Sequence, residues 1–499
     1  MSAEVLEHPA VTSGEDRGKE VAPRCAFVIF GVTGDLASRK LLPALYALHR
    51  RGYLHPETTI VGYGRSDWND ETLREHARES LEADPGEFDR ATWEELAPRL
   101  VYVRGGYGEA EGMQRLKRLL GESQQENRVF YTATPPSTYP RLIESLSEAG
   151  LQQSDEGWTR LVIEKPFGHD LQSAVALNDL AIRHFDESQL FRIDHYLAKE
   201  TAQNLAVLRF ANTVFEPLWS NRYIDHVQIT MTEDLGVDGR GSFYEQSGVI
   251  RDVFQNHLLQ LLSLVAMEPP ANFDATSVRN EKVKVFHAMT CPAPADTVLG
   301  QYVAANGMPG YREEEGVDPD SKQATYAAVR FEIRNWRWSG VPFFVRSGKR
   351  LERKATEIVL RFRNPPHIPF SLPAQPRPDR LTLRLTPDEG IDLRFNTKVP
   401  GQEIALERAN MEFTYARRFE RPNPDAYETL LLDTMTGDAT LFMRADEVEA
   451  QWRVVAPVLE EQDRLTEQPC PYPAGSFGPP EADRLLAGSG RHWHRPGDG

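Results

Sequence analysis

Residues 26–37 read AFVIFGVTGDLA, and this stretch decides the fold of the N-terminal half of the chain. The apolar run Ala26–Phe30 predicts a buried strand, and the glycines at 31 and 34 predict a tight turn into a helix. Such a turn lets peptide N–H groups approach a pyrophosphate, and the helix N-terminus favours the negative charge. The spacing is GxxGxxA rather than GxGxxG, so the motif by itself also fits a plain strand-to-helix turn.

Five more short apolar runs follow this strand and alternate with amphipathic stretches, several of which end at a glycine. Strands that alternate with helices predict a doubly wound, parallel, Rossmann-type sheet. The first glycine turn would then open the first βα unit of an α/β domain, which favours dinucleotide binding. The runs are Thr58–Tyr63, Leu100–Val103, Arg128–Thr132, Arg160–Glu164 and Gln189–Ile193.

After about residue 203 the pattern changes to alternating apolar and polar residues, which predicts a larger α+β domain with a mostly antiparallel sheet. A long helix, roughly Gly248–Met267, precedes most of these segments. A broad sheet of this kind could pair across a two-fold axis, so we expect a homo-oligomer, either a dimer or a tetramer. The alternating segments are Ile224–Thr232, Thr325–Ile333, Glu357–Phe362, Leu381–Leu385, Ile391–Phe395 and Glu412–Ala416.

The patterns also predict how the 499 residues divide into domains. Residues 1–24 mix Glu, Gly, Ser and Pro without a period, which predicts a flexible tail. We expect a dinucleotide-binding domain over 25–203, a substrate and oligomerisation domain over 204–475 and a C-terminal tail over 476–499.

The composition limits the partners. The chain carries 57 Lys and Arg against 74 Asp and Glu, a net charge of −17, so we expect neither nucleic acid nor an anionic membrane. An anionic substrate would need cations gathered locally. The three cysteines are too scattered for a disulfide framework or a zinc CxxC pair, which favours the cytoplasm, and we expect no metal. The longest apolar stretch, Leu258–Met267, is about half the length that spans a bilayer.

The end of the second predicted strand indicates which dinucleotide binds. An NAD site usually has Asp or Glu there for the ribose 2′-hydroxyl, whereas this chain has Arg65 after Gly64. An arginine can clamp a 2′-phosphate, and Thr33 and Lys40 could assist it. We therefore expect NADP, although a solvated surface arginine is the simpler alternative.

Two motifs at predicted strand ends carry polar chemistry. EKPFG, residues 164–168, places Lys165 at the sheet edge where ligands lie in open α/β folds. RIDHYLAKE, residues 192–200, places His195 and Lys199 four residues apart. If the chain turns helical after Asp194, these two cationic side chains share one face and suit a phosphate monoester.

The long predicted helix contains a third motif, IRDVFQNHLLQ, over residues 250–260. Asp252 and His257 lie five residues apart, or about 140° around an α-helix, so they would flank one edge rather than stack. On spacing alone, a histidine on such an apolar helix is more often a satisfied core residue than a catalyst.

Taken together, these motifs closely resemble the glucose-6-phosphate dehydrogenase family. The resemblance extends over roughly residues 25–475, and RIDHYLAKE is its most specific string. The other matching strings, in the same order as in the family, are GVTGDLA (31–37), EKPFG (164–168), IRDVFQNHLLQ (250–260) and RSGKRLERK (346–354).

The resemblance implies a function: oxidation of glucose 6-phosphate at C1 to 6-phosphogluconolactone, with hydride transfer to NADP, the first step of the oxidative pentose phosphate pathway. His257 would be the general base, and Asp194 would orient its imidazole and stabilise the imidazolium. Lys165 would touch both substrate and nicotinamide. The remaining substrate contacts would come from His195, Tyr196 and Lys199 at the phosphate, Glu233 and Asp252 at the sugar hydroxyls, and Lys349 and Lys354 from the second domain.

The resemblance also implies the cofactor contacts, which would come from the glycine turn and from the end of the second strand. Oxidation of a C1 hydroxyl requires loss of a proton and a hydride, so the protein must take the proton and orient the donor. The NADP contacts would be Gly31, Thr33, Gly34, Asp35, Leu36, Lys40 and Arg65, together with Lys165.

Two alternatives stay open on the sequence. Rossmann-fold oxidoreductases of unphosphorylated sugars also carry an EKP string, although the His195 and Lys199 pair argues against them. A catalytically inactive NADP-binding scaffold should have lost its base or its carboxylate, yet Asp194, His257 and Lys199 are all present.

Overall fold

The computed structural model describes residues 21–83, 88–122, 126–370, 376–419, 424–487 and 490–497. Most of the tail predicted over 1–24 therefore lies outside the described residues. The described chain forms two compact units, and the domain boundaries expected from the sequence stay a prediction. Unit 1 comprises the described residues of Met1–Thr134, Glu144–Val162 and Tyr427–Asp438, and unit 2 those of Pro135–Ile143, Ile163–Ala426 and Ala439–Gly499.

A parallel sheet forms the centre of unit 1. Its strands are β1 (Ala26–Phe30), β2 (Thr59–Gly64), β3 (Leu100–Arg104), β4 (Arg128–Thr132) and β5 (Thr159–Ile163). They lie in the order β5-β4-β1-β2-β3, and β1 pairs in parallel with both β2 and β4. Every residue of β1 is buried, as expected for a strand covered on both faces. The strand order reverses at β1, so the crevice beyond its carboxyl end is the expected ligand position.

Helices follow most strands of unit 1 and recur throughout unit 2. Among the described residues, we find no helix that is both long and apolar enough to cross a membrane. Two segments are π-helical, Ala37–Leu41 and Ile250–Leu258. The α-helices are α1 (Leu42–Arg50), α2 (Asp70–Glu82), α3 (Arg90–Leu96), α4 (Ala110–Glu122), α5 (Tyr139–Glu148), α6 (Leu171–His184), α7 (Glu200–Phe210), α8 (Gly241–Val249), α9 (Leu259–Ala266), α10 (Ala275–Ala288), α11 (Tyr415–Arg418), α12 (Ala426–Thr436) and α13 (Ala445–Asp463).

Unit 2 contains a nine-stranded sheet and also the short strands β6 (Leu190–Ile193) and β15 (Phe442–Met443), which run antiparallel to each other. The strands of the large sheet are β7 (Ile224–Thr232), β8 (Thr297–Val303), β9 (Tyr326–Glu332), β10 (Pro342–Gly348), β11 (Ala355–Phe362), β12 (Arg380–Thr386), β13 (Gly390–Lys398), β14 (Leu406–Thr414) and β16 (Cys470–Pro473). Their order is β14-β13-β12-β11-β7-β10-β9-β8-β16.

This sheet is mostly antiparallel, as predicted. The parallel neighbours are β7 with β10 and β8 with β16. The sequence patterns miss β8, β10 and β16, and the segment expected over Glu412–Ala416 overlaps only the end of β14. The predicted pair of an N-terminal Rossmann-type sheet and a larger, mostly antiparallel sheet is therefore confirmed.

The described residues of the segment predicted as a C-terminal tail pack onto the large sheet. The Arg346 guanidinium on β10 lies 3.9 Å from the ring centroid of Phe477 and 4.5 Å from that of Trp493. The backbone N–H of His494 donates to Gln228 Oε1 on β7 at 2.7 Å. Trp493 and His494 are both buried, so this segment forms part of the core of unit 2.

Candidate active site

A wide helical turn in unit 2 brings Asp252 and His257 to the same side of their helix. The helix breaks at Gly248, whose φ is 56°, and continues as the π-helix Ile250–Leu258. In a π-helix the bonds run from residue i to residue i+5 and the turn is wider, so residues five apart are rotated less from one another than in an α-helix. The α-helical spacing of about 140° expected from the sequence is therefore wrong at this point.

His257 and Asp194 form a buried hydrogen-bonded pair. His257 Nδ1 lies 2.5 Å from Asp194 Oδ1, and the two residues are only 3% and 1% exposed. Asp194 directly follows β6, so the strand end and the π-helix together build the pair. A carboxylate at Nδ1 is the arrangement that the predicted role of Asp194, orienting the imidazole of His257, requires.

Lys165 contacts the other ring nitrogen of His257, Nε2. Its Nζ lies 2.8 Å from His257 Nε2, and it also donates to the backbone carbonyl of Asp252 at 3.1 Å. An ammonium can only donate, so Nε2 must accept and the ring proton must sit on Nδ1, facing Asp194. The imidazole is thus neutral, and the lone pair of Nε2 accepts the hydrogen bond from Lys165.

The environment explains this protonation state. Burial lowers the pKa of His257 below its ordinary 6.5, and the Lys165 ammonium lowers it further, while Asp194 opposes both. Burial would raise the pKa of Asp194, but the attraction of His257 and their hydrogen bond outweigh it and lower that pKa. The carboxylate therefore stays charged and the imidazole stays neutral at neutral pH.

The residues after Asp194 form a turn rather than the expected helix. Residues 195–198 are turn residues, α7 begins at Glu200, and Lys199 is its N-cap. The backbone N–H of Tyr196 donates to Asp194 Oδ1 at 2.9 Å, which closes the turn around the carboxylate. The helical face predicted for His195 and Lys199 is therefore wrong. The Asp194 carboxylate accepts the N–H of Tyr196 two residues on, and this local bond stabilises a turn instead of a helix.

The turn nevertheless brings Lys199 and a neutral His195 near His257, since burial holds the pKa of His195 well below its ordinary 6.5. The imidazole centroids of His195 and His257 lie 4.6 Å apart, and Lys199 Nζ lies 3.9 Å from the ring centroid of Tyr196. Burial lowers the pKa of Lys199, and the nearby charge of Lys354 also lowers it, whereas Glu389 opposes the shift. Lys354 itself is exposed. A dianionic group placed here would meet these positive charges.

The predicted sugar-binding side chains include an ion pair and a carboxylate close to Lys165. Lys349, which is buried, forms an ion pair with Glu233 just beyond the end of β7. Burial opposes the charge of Asp252, but the cations Lys165 and Lys349 outweigh it and lower the pKa of this carboxyl. Asp252 Oδ1 also lies 3.6 Å from Lys165 Nζ. Two charged carboxylates therefore offer acceptors for sugar hydroxyls.

Asp194, His195 and His257 also place potential metal-ligand atoms within 4.8 Å of one another. In this arrangement both nitrogens of His257 are already engaged, Nδ1 by Asp194 and Nε2 by Lys165. A cation here would have to displace the Lys165 ammonium, so the group fits a proton acceptor better than a metal centre.

The predicted cofactor loop lies in unit 1, at the carboxyl end of β1. Gly31 has a φ of 82°, and a Cβ at this position would lie 2.4 Å from the carbonyl oxygen of Ala133. The N–H of Gly31 bonds the carbonyl of Tyr63, and the N–H of Gly34 bonds the carbonyl of Gly31, both within about 3 Å. Only glycine fits this tight turn.

The helical segment that follows the turn begins at Asp35, and Leu36 lies beside it. Lys40 is exposed on the π-helical segment Ala37–Leu41. This places a helix N-terminus directly after the glycines, where it can receive a pyrophosphate.

Arg65 lies at the same edge of the sheet. It is exposed, directly after β2, and its guanidinium carbon lies 5.9 Å from the ring centroid of Tyr107. A Cβ built on Gly64 would lie 3.8 Å from Thr33 Cγ2, so the glycine turn and the end of β2 are neighbours. This edge fits a dinucleotide that carries a 2′-phosphate, because a cation stands where an NAD site needs a carboxylate.

Asn256 is a polar residue of the site that the sequence patterns do not single out. Its side chain is 2% exposed, its Oδ1 accepts from the N–H of His257 at 2.6 Å, and its Nδ2 donates to the carbonyl of Arg251 at 3.2 Å. It thus bridges the backbone on both sides of the wide turn. No periodicity reveals this role, because it depends on the π-helical geometry.

Comparison with known families gives a direct result. A model described as "Glucose-6-phosphate dehydrogenase, NAD binding domain" matches residues 28–204. A second, described as "Glucose-6-phosphate dehydrogenase, C-terminal domain", matches residues 206–494. The chain belongs to the glucose-6-phosphate dehydrogenase family. The resemblance seen in the motifs is therefore confirmed.

Individual glucose-6-phosphate dehydrogenases are similar over nearly the whole chain. The glucose-6-phosphate 1-dehydrogenase of Aggregatibacter actinomycetemcomitans is 46% identical, covering 95% of this chain and 98% of its own. That of Chlamydia pneumoniae is 43% identical, with 97% and 98% covered. A solved glucose-6-phosphate dehydrogenase in complex with its substrate glucose-6-phosphate has a TM-score of 0.89 at 38% identity, covering 95% of this chain and 99% of that one.

Proposed function

We propose that this protein is an NADP-dependent glucose-6-phosphate dehydrogenase, an oxidoreductase acting on a CH–OH group. It oxidises glucose 6-phosphate at C1 to 6-phosphogluconolactone, the first step of the oxidative pentose phosphate pathway. Family membership over residues 28–204 and 206–494 supports the activity. The observation that carries it in the structure is the buried Asp194–His257 pair, whose Nε2 lone pair is directed toward Lys165.

His257 is the proposed general base. The C1 hydroxyl takes the place of the Lys165 ammonium at Nε2, and the proton passes from that hydroxyl to the ring. Asp194 holds the tautomer and stabilises the imidazolium once it forms, as expected for a carboxylate hydrogen-bonded to Nδ1. General-base catalysis of this kind contributes about 10²–10⁴-fold.

Lys165 has a second proposed role beside its contact with His257. Its positive charge keeps Nε2 unprotonated before the substrate arrives, because a second proton would bring two cations together. Once displaced from Nε2, the ammonium remains within reach of Asp252, so it can bridge substrate and nicotinamide.

The proposed phosphate site consists of His195, Tyr196, Lys199 and Lys354. A phosphate held there is remote from C1, so its binding energy holds the reacting carbon in position rather than changing the chemistry. Glu233 and Asp252 are the proposed acceptors for the sugar hydroxyls. Lys349 holds Glu233 in place through their ion pair.

The glycine turn and Arg65 are the proposed cofactor contacts. When bound, the nicotinamide of NADP accepts the hydride from C1. Gly31, Gly34 and the helix N-terminus at Asp35 and Leu36 would hold the pyrophosphate. The 2′-phosphate would be held by Thr33, Lys40 and Arg65.

We also propose that the enzyme is a cytoplasmic homo-oligomer, either a dimer or a tetramer. Its cysteines Cys25, Cys291 and Cys470 are all free thiols, which fits a reducing compartment. The domain boundaries proposed near residues 24, 203 and 475 go with this assignment.

Turnover of two sugars with two cofactors tests the activity. Purified enzyme is given glucose 6-phosphate or glucose, each with NADP or NAD, and the absorbance of the reduced nicotinamide is followed. We expect the fastest reduction with glucose 6-phosphate and NADP. Equal rates with glucose would favour an oxidoreductase of unphosphorylated sugars, and no reduction at saturating substrate would favour an inactive scaffold.

Arg65→Ala tests the cofactor assignment separately. Removing one charged hydrogen-bond donor should weaken NADP binding by up to about 3 kcal/mol and leave NAD binding unchanged. Binding is measured by titrating each dinucleotide into the enzyme without sugar. Equal losses for both dinucleotides would contradict the assignment of Arg65 to the 2′-phosphate.

A further inference from the structure

The aromatic ring of Tyr196 packs against the proposed base. The ring centroids of Tyr196 and His257 lie 4.3 Å apart, with an angle of 34° between the planes. The backbone N–H of the same tyrosine donates to Asp194 Oδ1. Tyr196 therefore contacts both members of the pair, the imidazole through its side chain and the carboxylate through its main chain.

The two hydrogen bonds of the imidazole hold the edges of the ring and make no contact with its faces. The bond from Nδ1 to Asp194 fixes one edge of the ring, and the contact at Nε2 is lost when Lys165 makes way for a substrate. A flat ring against the face of the imidazole restricts its rotation about the remaining bond. His195 adds an edge contact at 68°, so the imidazole is held on more than one side.

We infer that Tyr196 is a positioning residue whose ring, rather than its hydroxyl, holds the plane of His257 so that Nε2 faces the reacting hydroxyl. This inference rests on the proposed function. The hydroxyl has surroundings of its own: burial raises its pKa to about 12, and the side chain of Thr356 opposes this shift. The ring also adjoins the ammonium of Lys199, so the two parts of the side chain can be tested apart.

Two substitutions separate ring from hydroxyl. Tyr196→Phe keeps the ring and removes the hydroxyl, so kcat should stay within about threefold while KM for glucose 6-phosphate rises. Tyr196→Leu keeps an apolar side chain but loses the flat face, so kcat should fall about 10–100-fold, as expected for a misplaced catalytic group. Thermal unfolding of both variants shows how far each remains folded.

The titration of His257 gives a readout that does not depend on the folded fraction or on turnover. Histidine labelled with ¹³C at Cε1 is followed by NMR against pH, and His257→Asn assigns the signal. Asp194, Lys165, Asp252 and His195 face the imidazole. Water should reach the ring in Tyr196→Leu and raise its pKa toward the ordinary value, whereas Tyr196→Phe should titrate like wild type.

Each outcome decides the inference. Wild-type kcat and titration in Tyr196→Leu would overturn it, and an equal fall of kcat in Tyr196→Phe would assign the effect to the hydroxyl. If the wild-type enzyme fails to reduce NADP with glucose 6-phosphate, the proposed function fails. The NMR titration still decides whether the ring controls the imidazole in that case.

Discussion

At the scale of the residue, His257 acquires its properties from groups far away in the sequence. Asp194 lies 63 residues before it and Lys165 lies 92 residues before it, yet each takes one of its ring nitrogens. Burial lowers the pKa of the imidazole below its ordinary 6.5, so the ring is neutral at neutral pH, while the Asp194 carboxylate opposes this shift and stabilises the protonated ring. A general base must be unprotonated before the reaction and must be stabilised once it has taken the proton. Burial supplies the first property and Asp194 the second.

His257→Asn removes the proton acceptor and nearly preserves the shape of the side chain. We expect kcat to fall by at least about 10²-fold while glucose 6-phosphate still binds, because the phosphate and hydroxyl contacts come from other residues. Turnover and calorimetric substrate binding are measured together. His226→Asn is a matched control, since His226 is also a buried histidine bonded to a carboxylate, Asp225, at 2.7 Å. Near-normal turnover of His257→Asn would exclude it as the base.

Lys199→Ala tests phosphate recognition. Its ammonium is partly buried beside Tyr196 and close to the charge of Lys354, and the substrate phosphate is its proposed partner. We expect kcat/KM for glucose 6-phosphate to fall by about 10-fold or more, since a charged hydrogen bond contributes about 1.5–3 kcal/mol. The slow reaction with glucose should change much less. Lys284→Ala, at an exposed site, is the control, and equal losses on both sugars would remove Lys199 from this role.

At the scale of the element, the strands of the parallel sheet were the most predictable part of the fold. Short apolar runs between glycine-closed helices locate β1 to β5 within one residue of their observed ends. The missed strands lack that signal. β10 is buried throughout and therefore does not alternate, and β16 holds two prolines in four residues. Burial on both faces removes the period that identifies a strand in an antiparallel sheet.

The geometry of the site was less predictable from the sequence than the residues that form it. The motifs contain the side chains that the fold brings together, but the assumed helices would have given them the wrong geometry at two places. The π-helix over Ile250–Leu258 aligns Asp252 with His257, and the turn after Asp194 replaces the helix expected there. Both depend on tertiary contacts, such as Asn256 bridging the backbone, which no local pattern encodes.

Gly31→Ala tests the glycine turn as an element. Its Cβ would meet the carbonyl of Ala133, so both the positive φ and the clash oppose alanine. Gly52→Ala is the matched control, because Gly52 has a φ of 76° and nothing within 4 Å of a Cβ. We expect Gly52→Ala to lower the free energy of unfolding by about 1 kcal/mol and Gly31→Ala by more, with a loss of NADP affinity only in the latter. Urea unfolding and NADP titration measure these effects, and equal affinities would contradict the turn's role.

At the scale of the whole molecule, the proposed anionic substrate must bind to a chain with a net charge of −17. The proposed site includes the buried Lys349 and the partly buried Lys199, whose charges water screens poorly. Buried side chains also make the folded state less stable in acid. Histidines held neutral in the core must take protons when the chain unfolds, and this links the stability of the enzyme to pH.

His494 in the C-terminal segment provides the sharpest case. Burial and the nearby arginines lower its pKa to about 3, with Arg380 Nη1 2.9 Å from its Nδ1, and Glu357 lies 3.6 Å from its Nε2. Its folded pKa lies below the unfolded value of about 6.5, so below that pH the unfolded chain binds the extra proton. The free energy of unfolding should therefore fall as the pH drops below about 6.5, by up to about 1.4 kcal/mol per pH unit from this residue.

His494→Asn removes this group, so its unfolding free energy should depend less on pH than that of the wild-type enzyme between about pH 6.5 and about pH 5. Urea unfolding across this range measures the slope for both proteins. His287→Asn, at an exposed position of α10, is the control for the substitution itself. Parallel slopes for wild type and His494→Asn would show that the buried imidazole does not link stability to pH. The C-terminal segment would then be held to the sheet by its other contacts alone, among them the stacking of Trp493 on Arg346.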